Sequence, residues 1–220
     1  MIKIAVLVSG GGTNLQALID ARDKNELAGG ELSLVISSKP GVGALERAQK
    51  AGIKAVTIER KKYAGLEDFD GAVAAALSEN DIDLVVLAGF LSILGPRTLQ
   101  SYRNKIINVH PALIPSFCGK GFYGLRVHEE ALKYGVKVTG ATVHFVNEVI
   151  DGGKIILQKA VDVLPDDTPE ILQQRVMREA EWVLLPKAVA MFCEEEEKNL
   201  PRSYTEKDTE LHGGNKRSAL

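Results

Sequence analysis

Apolar positions along the chain repeat with two periods that take turns. Short runs rich in Val, Ile and Leu at residues 2–8, 32–37, 55–58, 82–88 and 106–109 predict strands. The segments between them follow helical spacing. Residues 14–21 set Leu15, Leu18 and Ile19 on one face, 42–51 stop at Gly52, and 66–77 are alanine-rich with acids near the start, where they suit the helix dipole. Strand and helix in alternation predict an α/β fold, an open and mostly parallel twisted sheet with helices on both faces and right-handed crossovers.

The texture changes after Val109. Pro111, Pro115, Gly119, Gly121 and Gly124 punctuate a loop of about fifteen residues, a length that points to function. A short helix is expected over 127–134, then two strand-like runs at 138–146 and 154–163, joined by 147–153 with its Asp151-Gly152-Gly153 turn signal. Thr168 and Pro169 form a helix start, a capping residue before a proline at the first helical position. The last helix is expected to run to about Glu197 with a kink at Pro186. The C-terminal part thus adds an antiparallel strand and a long final helix. Residues 199–220 turn polar and read as a tail behind a single domain over 1–198.

Charge and cysteine usage narrow the classes. The 220 residues carry 27 Lys+Arg against 29 Asp+Glu, a net charge of −2, and 45% are hydrophobic. These values exclude disordered, collagen-like and coiled-coil classes and argue against wholesale nucleic-acid binding, while leaving room for a local pocket for one small anion. Cys118 and Cys193 are far apart and outside any Cys-x-x-Cys spacing, so neither a disulfide framework nor a thiolate metal site is expected. No run approaches the ~18 apolar residues of a membrane helix. The expected location is the cytoplasm, with no membrane partner.

Three features could carry chemistry. Ser9-Gly10-Gly11-Gly12-Thr13-Asn14-Leu15 joins the first strand to the first helix, where bare amides and the helix dipole suit a phosphate; the same spacing also serves as a tight turn that binds nothing. It is neither the dinucleotide fingerprint, since Leu15 takes the third glycine's place, nor a phosphate loop with a following Lys-Ser/Thr. Asn108 and His110 lie two apart on the fifth strand and share a face at the carboxyl edge of the sheet, where open α/β sheets bind ligands. They offer an amide donor for an oxyanion and a group that titrates near neutrality, or simply structural hydrogen bonds. Asp151 could orient an imidazole and raise its pKa, or serve as a turn aspartate. His144, in a strand-like run, could be a second polar site group but reads by default as a satisfied core histidine, and His128 and His212 carry no signal. The scattered histidines and the solvated run Glu194-Glu195-Glu196-Glu197 give no metal site.

Taken in order, Ser9-Gly-Gly-Gly-Thr-Asn14, Leu87-Ala-Gly-Phe-Leu-Ser-Ile-Leu94, Asn108-Val-His-Pro-Ala-Leu-Ile-Pro115, Gly140-Ala-Thr-Val-His-Phe145 and Asp151-Gly-Gly153 together resemble the phosphoribosylglycinamide formyltransferases of purine biosynthesis. The likeness extends from about Ile2 to Phe192. It implies a Rossmann-like formyltransferase fold and transfer of a formyl group from 10-formyltetrahydrofolate, as co-substrate, to the amine of 5-phosphoribosylglycinamide. By this resemblance Asn108, His110 and Asp151 match the catalytic trio. Gly12, Thr13 and Asn14 match the phosphate-holding positions, Glu181 a glutamate at the ribose end, and Arg178, three residues earlier on the same expected helical face, would assist the anion although the helix carries an extra residue there relative to the family pattern. Leu91, Ser92, Ile93, Leu94, Ile106, Asn108 and Val146 would line the folate pocket. The phosphate half would occupy about 1–105, and the catalytic and folate half about 106–198.

Departures from the family pattern fall on the folate side. Ser92 stands where many members have an arginine, Leu66 falls near another folate-contacting arginine of some members, and the loop over 116–127 is several residues longer than in many relatives, so Lys120 or Arg126 is expected to replace the missing charge. Related readings are methionyl-tRNA formylation, formylfolate hydrolysis and a nucleotide-binding module without chemistry. The first two are disfavoured by the expected lack of an appended domain, and the third by Asn108, His110 and Asp151 occurring together. A monomer or a homodimer is expected.

Overall fold

β1 (Ile2–Val8) lies near the middle of the sheet, and its side chains divide the core between two faces. In the computed structural model, which describes residues 1–199, Ile4, Val6 and Val8 pack into one apolar cluster and Ala5 and Leu7 into the other. This is the period of two expected of a strand covered on both faces, and such strands read as unbroken apolar runs.

α1 (Thr13–Asp23), β2 (Gly30–Ser37), α2 (Gly43–Lys50) and β3 (Lys54–Thr57) follow, then α3 (Leu66–Ser78), β4 (Leu84–Leu87), α4 (Pro96–Ser101) and β5 (Ile106–His110). The sequence continues through α5 (Leu125–Tyr134), β6 (Val138–Phe145), β7 (Ile155–Asp162), α6 (Pro169–Val176) and α7 (Trp182–Asn199). The sheet order is β3-β2-β1-β4-β5-β6-β7. The first five strands are parallel, β6 runs antiparallel to β5, and β7 runs antiparallel to β6. Strand order reverses beside β1, so the loops leaving β1, β4 and β5 gather at one carboxyl edge.

The expected architecture is thus present, with β6 antiparallel to both of its neighbours, β5 and β7, and a long final helix. Three local differences have physical causes. α4 was not foreseen, because six residues are too few to show a period; its first turn is held from outside by the buried Asp70 carboxylate, which accepts from the amides of Gly95 (2.9 Å), Arg97 (2.8 Å) and Thr98 (3.2 Å). The expected long helix is divided at Met177–Glu181, a π turn, whereas α7 continues through Pro186. A π turn accommodates one additional residue, which is the extra residue noticed in the sequence. Finally, Asn199 closes α7 and does not begin the tail, whose residues 200–220 lie outside the described part of the chain.

Among the described residues no helix is long and apolar enough to cross a membrane. α5 buries Val127, His128 and Ala131. Both ring nitrogens of His128 lack a hydrogen-bond partner among the described residues. Burial, then the neighbouring His110, pushes the His128 imidazole down to about 4. The folded chain therefore keeps His128 neutral where the unfolded chain protonates it, and stability falls as pH drops from the ordinary 6.5 towards about 4. His128→Leu is expected to remove this loss. In urea unfolding, the variant should lose about 2 kcal/mol less than the parent chain between roughly pH 7 and pH 5; equal losses would exclude His128 as the source.

Candidate active site

Asn108 and His110 project from the last turns of β5 on the face opposite Ile107 and Val109, which belong to the other core cluster. The antiparallel register sets Asn108 opposite His144 of β6. Asn108 Nδ2 lies 3.1 Å from His144 Nε2, and His144 Nδ1 lies 2.8 Å from the Phe145 carbonyl. With Nδ1–H donating to that carbonyl, Nε2 of His144 is left to accept from the Asn108 amide. One Asn108 hydrogen is fixed in this way and the other is left to a ligand. His144, for which the sequence left open a core histidine or a second polar site group, is buried with both ring nitrogens partnered. The strand register sets it across from Asn108.

Asp151 closes the group from the β6–β7 loop. Its backbone has φ 55, a left-handed conformation that Asp tolerates better than most residues. The next two positions require glycine on steric grounds, since a Cβ on Gly152 would meet Val149 at 2.6 Å and one on Gly153 would overlap the Phe145 carbonyl. The carboxylate so placed has one oxygen 3.7 Å from His110 Nδ1 and the other 3.6 Å from His144 Nε2. Burial pushes the Asp151 carboxyl up, but the contact with His144, the Gly119 amide and the charge on His110 together hold it below the usual value. Burial pushes the His110 imidazole down, while Asp151 and the Phe117 carbonyl push it back up.

The long loop between β5 and α5 supplies backbone to both partners. His110 Nε2–H donates to the Phe117 carbonyl at 2.8 Å, and the Gly119 amide donates to Asp151 Oδ2 at 2.8 Å. Between them sits Cys118, whose thiol is held above its ordinary pKa by burial and by Asp151, which opposes a thiolate role.

The glycine turn lies along the same edge, with β4 alone separating β1 from β5. Gly12 has φ 75, and a Cβ there would meet Ala44 of α2 at 2.7 Å, so both conformation and packing demand glycine. Gly10 and Gly11 differ, because a Cβ on either would meet nothing within 4 Å and neither has positive φ. Asn14 Nδ2–H donates at 2.7 Å to Glu181 Oε2, joining α1 to the π turn. Burial raises the Glu181 carboxyl to about 7 against the opposing hydrogen bond from Asn14. Arg178 does not share this face. It is exposed, with Nε–H donating to the Gln174 carbonyl at 3.3 Å, because the π turn breaks the three-residue spacing that would align it with Glu181.

The residues expected beside a folate form two layers. Leu91 and Ile93 are 53% and 60% exposed, unusual for such side chains, and Ser92 between them is half-buried. Leu94 and Ile106 are buried in the core cluster beneath, so they back the surface and do not line it directly; Val146 packs against the same cluster. Lys120 and Arg126 are exposed, and Leu66 is 37% exposed. Among the described residues no cluster of His, Cys, Asp and Glu could hold a metal ion. A cavity of about 660 Å³ between α1 and α7 is lined by Thr13 and Arg47 beside the glycine turn and includes none of Asn108, His110 or Asp151; the convergence of polar groups, rather than cavity size, marks the site.

Comparison with known proteins agrees with this geometry. Residues 2–189 match the formyl transferase family. The chain is 39% identical to phosphoribosylglycinamide formyltransferase of Haemophilus influenzae, over 88% of each chain. It is 45% identical to the trifunctional purine biosynthetic protein adenosine-3 of Homo sapiens over 87% of its own length, but spans only 18% of that protein. Among solved structures, glycinamide ribonucleotide transformylase 1 from Symbiobacterium toebii superposes with a TM-score of 0.83 at 42% identity, covering 89% of each chain. Edge geometry, family match and full-length relatives agree, and the chain belongs to the formyl transferase family.

Proposed function

We propose that this chain transfers the formyl group of 10-formyltetrahydrofolate to the primary amine of 5-phosphoribosylglycinamide, giving formylglycinamide ribonucleotide and tetrahydrofolate. The observation that carries this reading is the convergence of Asn108, His110 and Asp151 on the sheet edge that also bears the glycine turn. Two strand spacings, roughly 10 Å, separate β1 from β5. A phosphorylated ribose bearing a glycyl amine is of a length to reach from one to the other.

In this mechanism the neutral amine attacks the formyl carbon, forming the new C–N bond and moving an electron pair onto the formyl oxygen. The free Asn108 hydrogen and protonated His110 donate to that oxyanion. Asp151 favours the protonated imidazole against the burial that lowers its pKa. As the bond to the folate nitrogen breaks, the proton lost by the attacking amine passes through water, with Asp151 assisting, to the departing nitrogen. The His110 Nε2–H now engaged by the Phe117 carbonyl is a donor for which the formyl oxygen competes.

The phosphate is assigned to the amides of Gly12 and Thr13 and to Asn14, at the start of α1, where a helix dipole supplies positive potential without net charge. Glu181, tied to Asn14, is assigned to the ribose end. Exposed Leu91 and Ile93 beside Ser92, backed by Leu94 and Ile106 and flanked by Val146, suit burial of a flat aromatic ring system. Lys120 and Arg126 are assigned to its anionic tail.

The direct test is formyl transfer on mixing the purified chain with both substrates; a folded sample that gives no product would overturn the reading. Asp151→Asn should fold and retain phosphate binding while turnover falls by about 10²–10⁴-fold. Activity that requires protonated His110 declines as pH rises through the His110 pKa. Loss of the Asp151 charge lowers that pKa, so the declining limb should move to lower pH; an unmoved limb would remove Asp151 from this role. Lys120→Ala and Arg126→Ala should each raise the folate KM, and unchanged values in both would withdraw that assignment.

A further inference from the structure

The carbonyls of the glycine turn all have partners, and one partner is of a different kind. The Gly10 carbonyl accepts from the Ala44 amide at 3.2 Å and the Gly12 carbonyl from the Gln16 amide at 2.9 Å, both backbone groups of flanking helices. The Gly11 carbonyl between them accepts instead from a side chain, Arg47 Nε–H of α2, at 2.9 Å. Arg47 is itself anchored, since Nη1–H donates to Gln16 Oε1 on α1 at 2.8 Å. Arg47 therefore ties α2 to α1 across the back of the turn.

In a planar trans peptide the N–H points opposite to the C=O. With three successive carbonyls turned towards α1 and α2, the amides of Gly11, Gly12 and Thr13 turn the other way. Among the described residues none of these amides has a backbone or side-chain acceptor. The Gly10–Gly11 and Gly11–Gly12 peptides both have glycine on each side, which removes the Cβ clashes that would resist rotation; of the two, only Gly11–Gly12 has its carbonyl held by a side chain and not by a backbone amide. Turned over, it would direct a carbonyl dipole at the anion in place of an amide.

We propose that Arg47 is a positioning residue that holds the Gly11–Gly12 peptide with its amide facing the substrate phosphate. Its guanidinium does not touch the phosphate; it acts through the Gly11 carbonyl. The proposal rests on the assignment of the substrate phosphate to this turn. It also gives Gly11 a role that packing does not, since a Cβ there would meet nothing in the chain and only a ligand lying against the backbone requires its absence.

The test is steady-state kinetics of Arg47→Met, which keeps the apolar stem and removes the donors. The KM for phosphoribosylglycinamide should rise about tenfold, the scale of one well-directed hydrogen bond, with kcat, the folate KM and Tm close to those of the parent chain. The rise should persist in roughly 0.5 M KCl, where exposed charges are screened within a few ångströms, and should vanish when the dephosphorylated glycinamide riboside is the substrate. An unchanged KM, a rise abolished by salt, or an equal rise with the riboside would each overturn the proposal. Gly11→Ala separates it from the underlying assignment. If this variant folds and raises the KM while Arg47→Met does not, only the positioning role fails; if Gly11→Ala leaves the KM unchanged, the phosphate assignment fails.

Discussion

A carboxylate taken out of water must be compensated, and Asp151 draws its neighbours from three parts of the chain. His110 comes from the end of β5, His144 from β6, and the Gly119 amide from the loop that precedes α5. Leaving such a group unpaired would cost more than the contacts that surround it contribute. The positions of the β6–β7 loop, the β5 terminus and the long loop are therefore coupled through one side chain. The strained backbone at Asp151 and the two glycines after it are the local cost of delivering the carboxylate to that point.

The same device recurs around the site. Glu181 is buried against Asn14 and fixes the last helical segment to the first. Asp70 is buried against the amides of Gly95, Arg97 and Thr98, which sets the end of the loop that carries exposed Leu91 and Ile93. Arg47 performs the complementary task with a cation, holding the Gly11 carbonyl from behind. Each of these groups joins segments far apart in sequence. In a near-neutral chain, local dipoles and oriented hydrogen bonds do what net charge does not.

Legibility in the sequence followed the range of the interaction. β1 and β5 were readable because buried parallel strands are continuous apolar runs. Asn108 and His110 share a face by the two-residue period alone, and Asp151-Gly152-Gly153 announced a loop with an unusual backbone. His144 reads by default as a core histidine because nothing local distinguishes a histidine packed in a core from one that faces a catalytic amide. Arg178 was placed beside Glu181 because three-residue spacing implies a shared α-helical face, and the π turn at Met177–Glu181 changes that spacing. α4 escaped notice because its cap comes from Asp70 on a different helix.

What the sequence determined by itself was periodicity and permission: which segments are strands or helices, where glycine is allowed to bend the chain, and which polar groups stand at strand ends. These depend on neighbours a few residues apart, through steric limits and the alternation of apolar side chains. Only the tertiary structure decided which polar groups meet. Register brought His144 to Asn108, a buried carboxylate drew His110 and His144 to Asp151, and packing of α2 against the first turn put Arg47 behind Gly11. Those pairings arise from burying groups that must then be satisfied, a requirement that acts between residues as far apart as Asn14 and Glu181 and leaves no periodic trace along the chain.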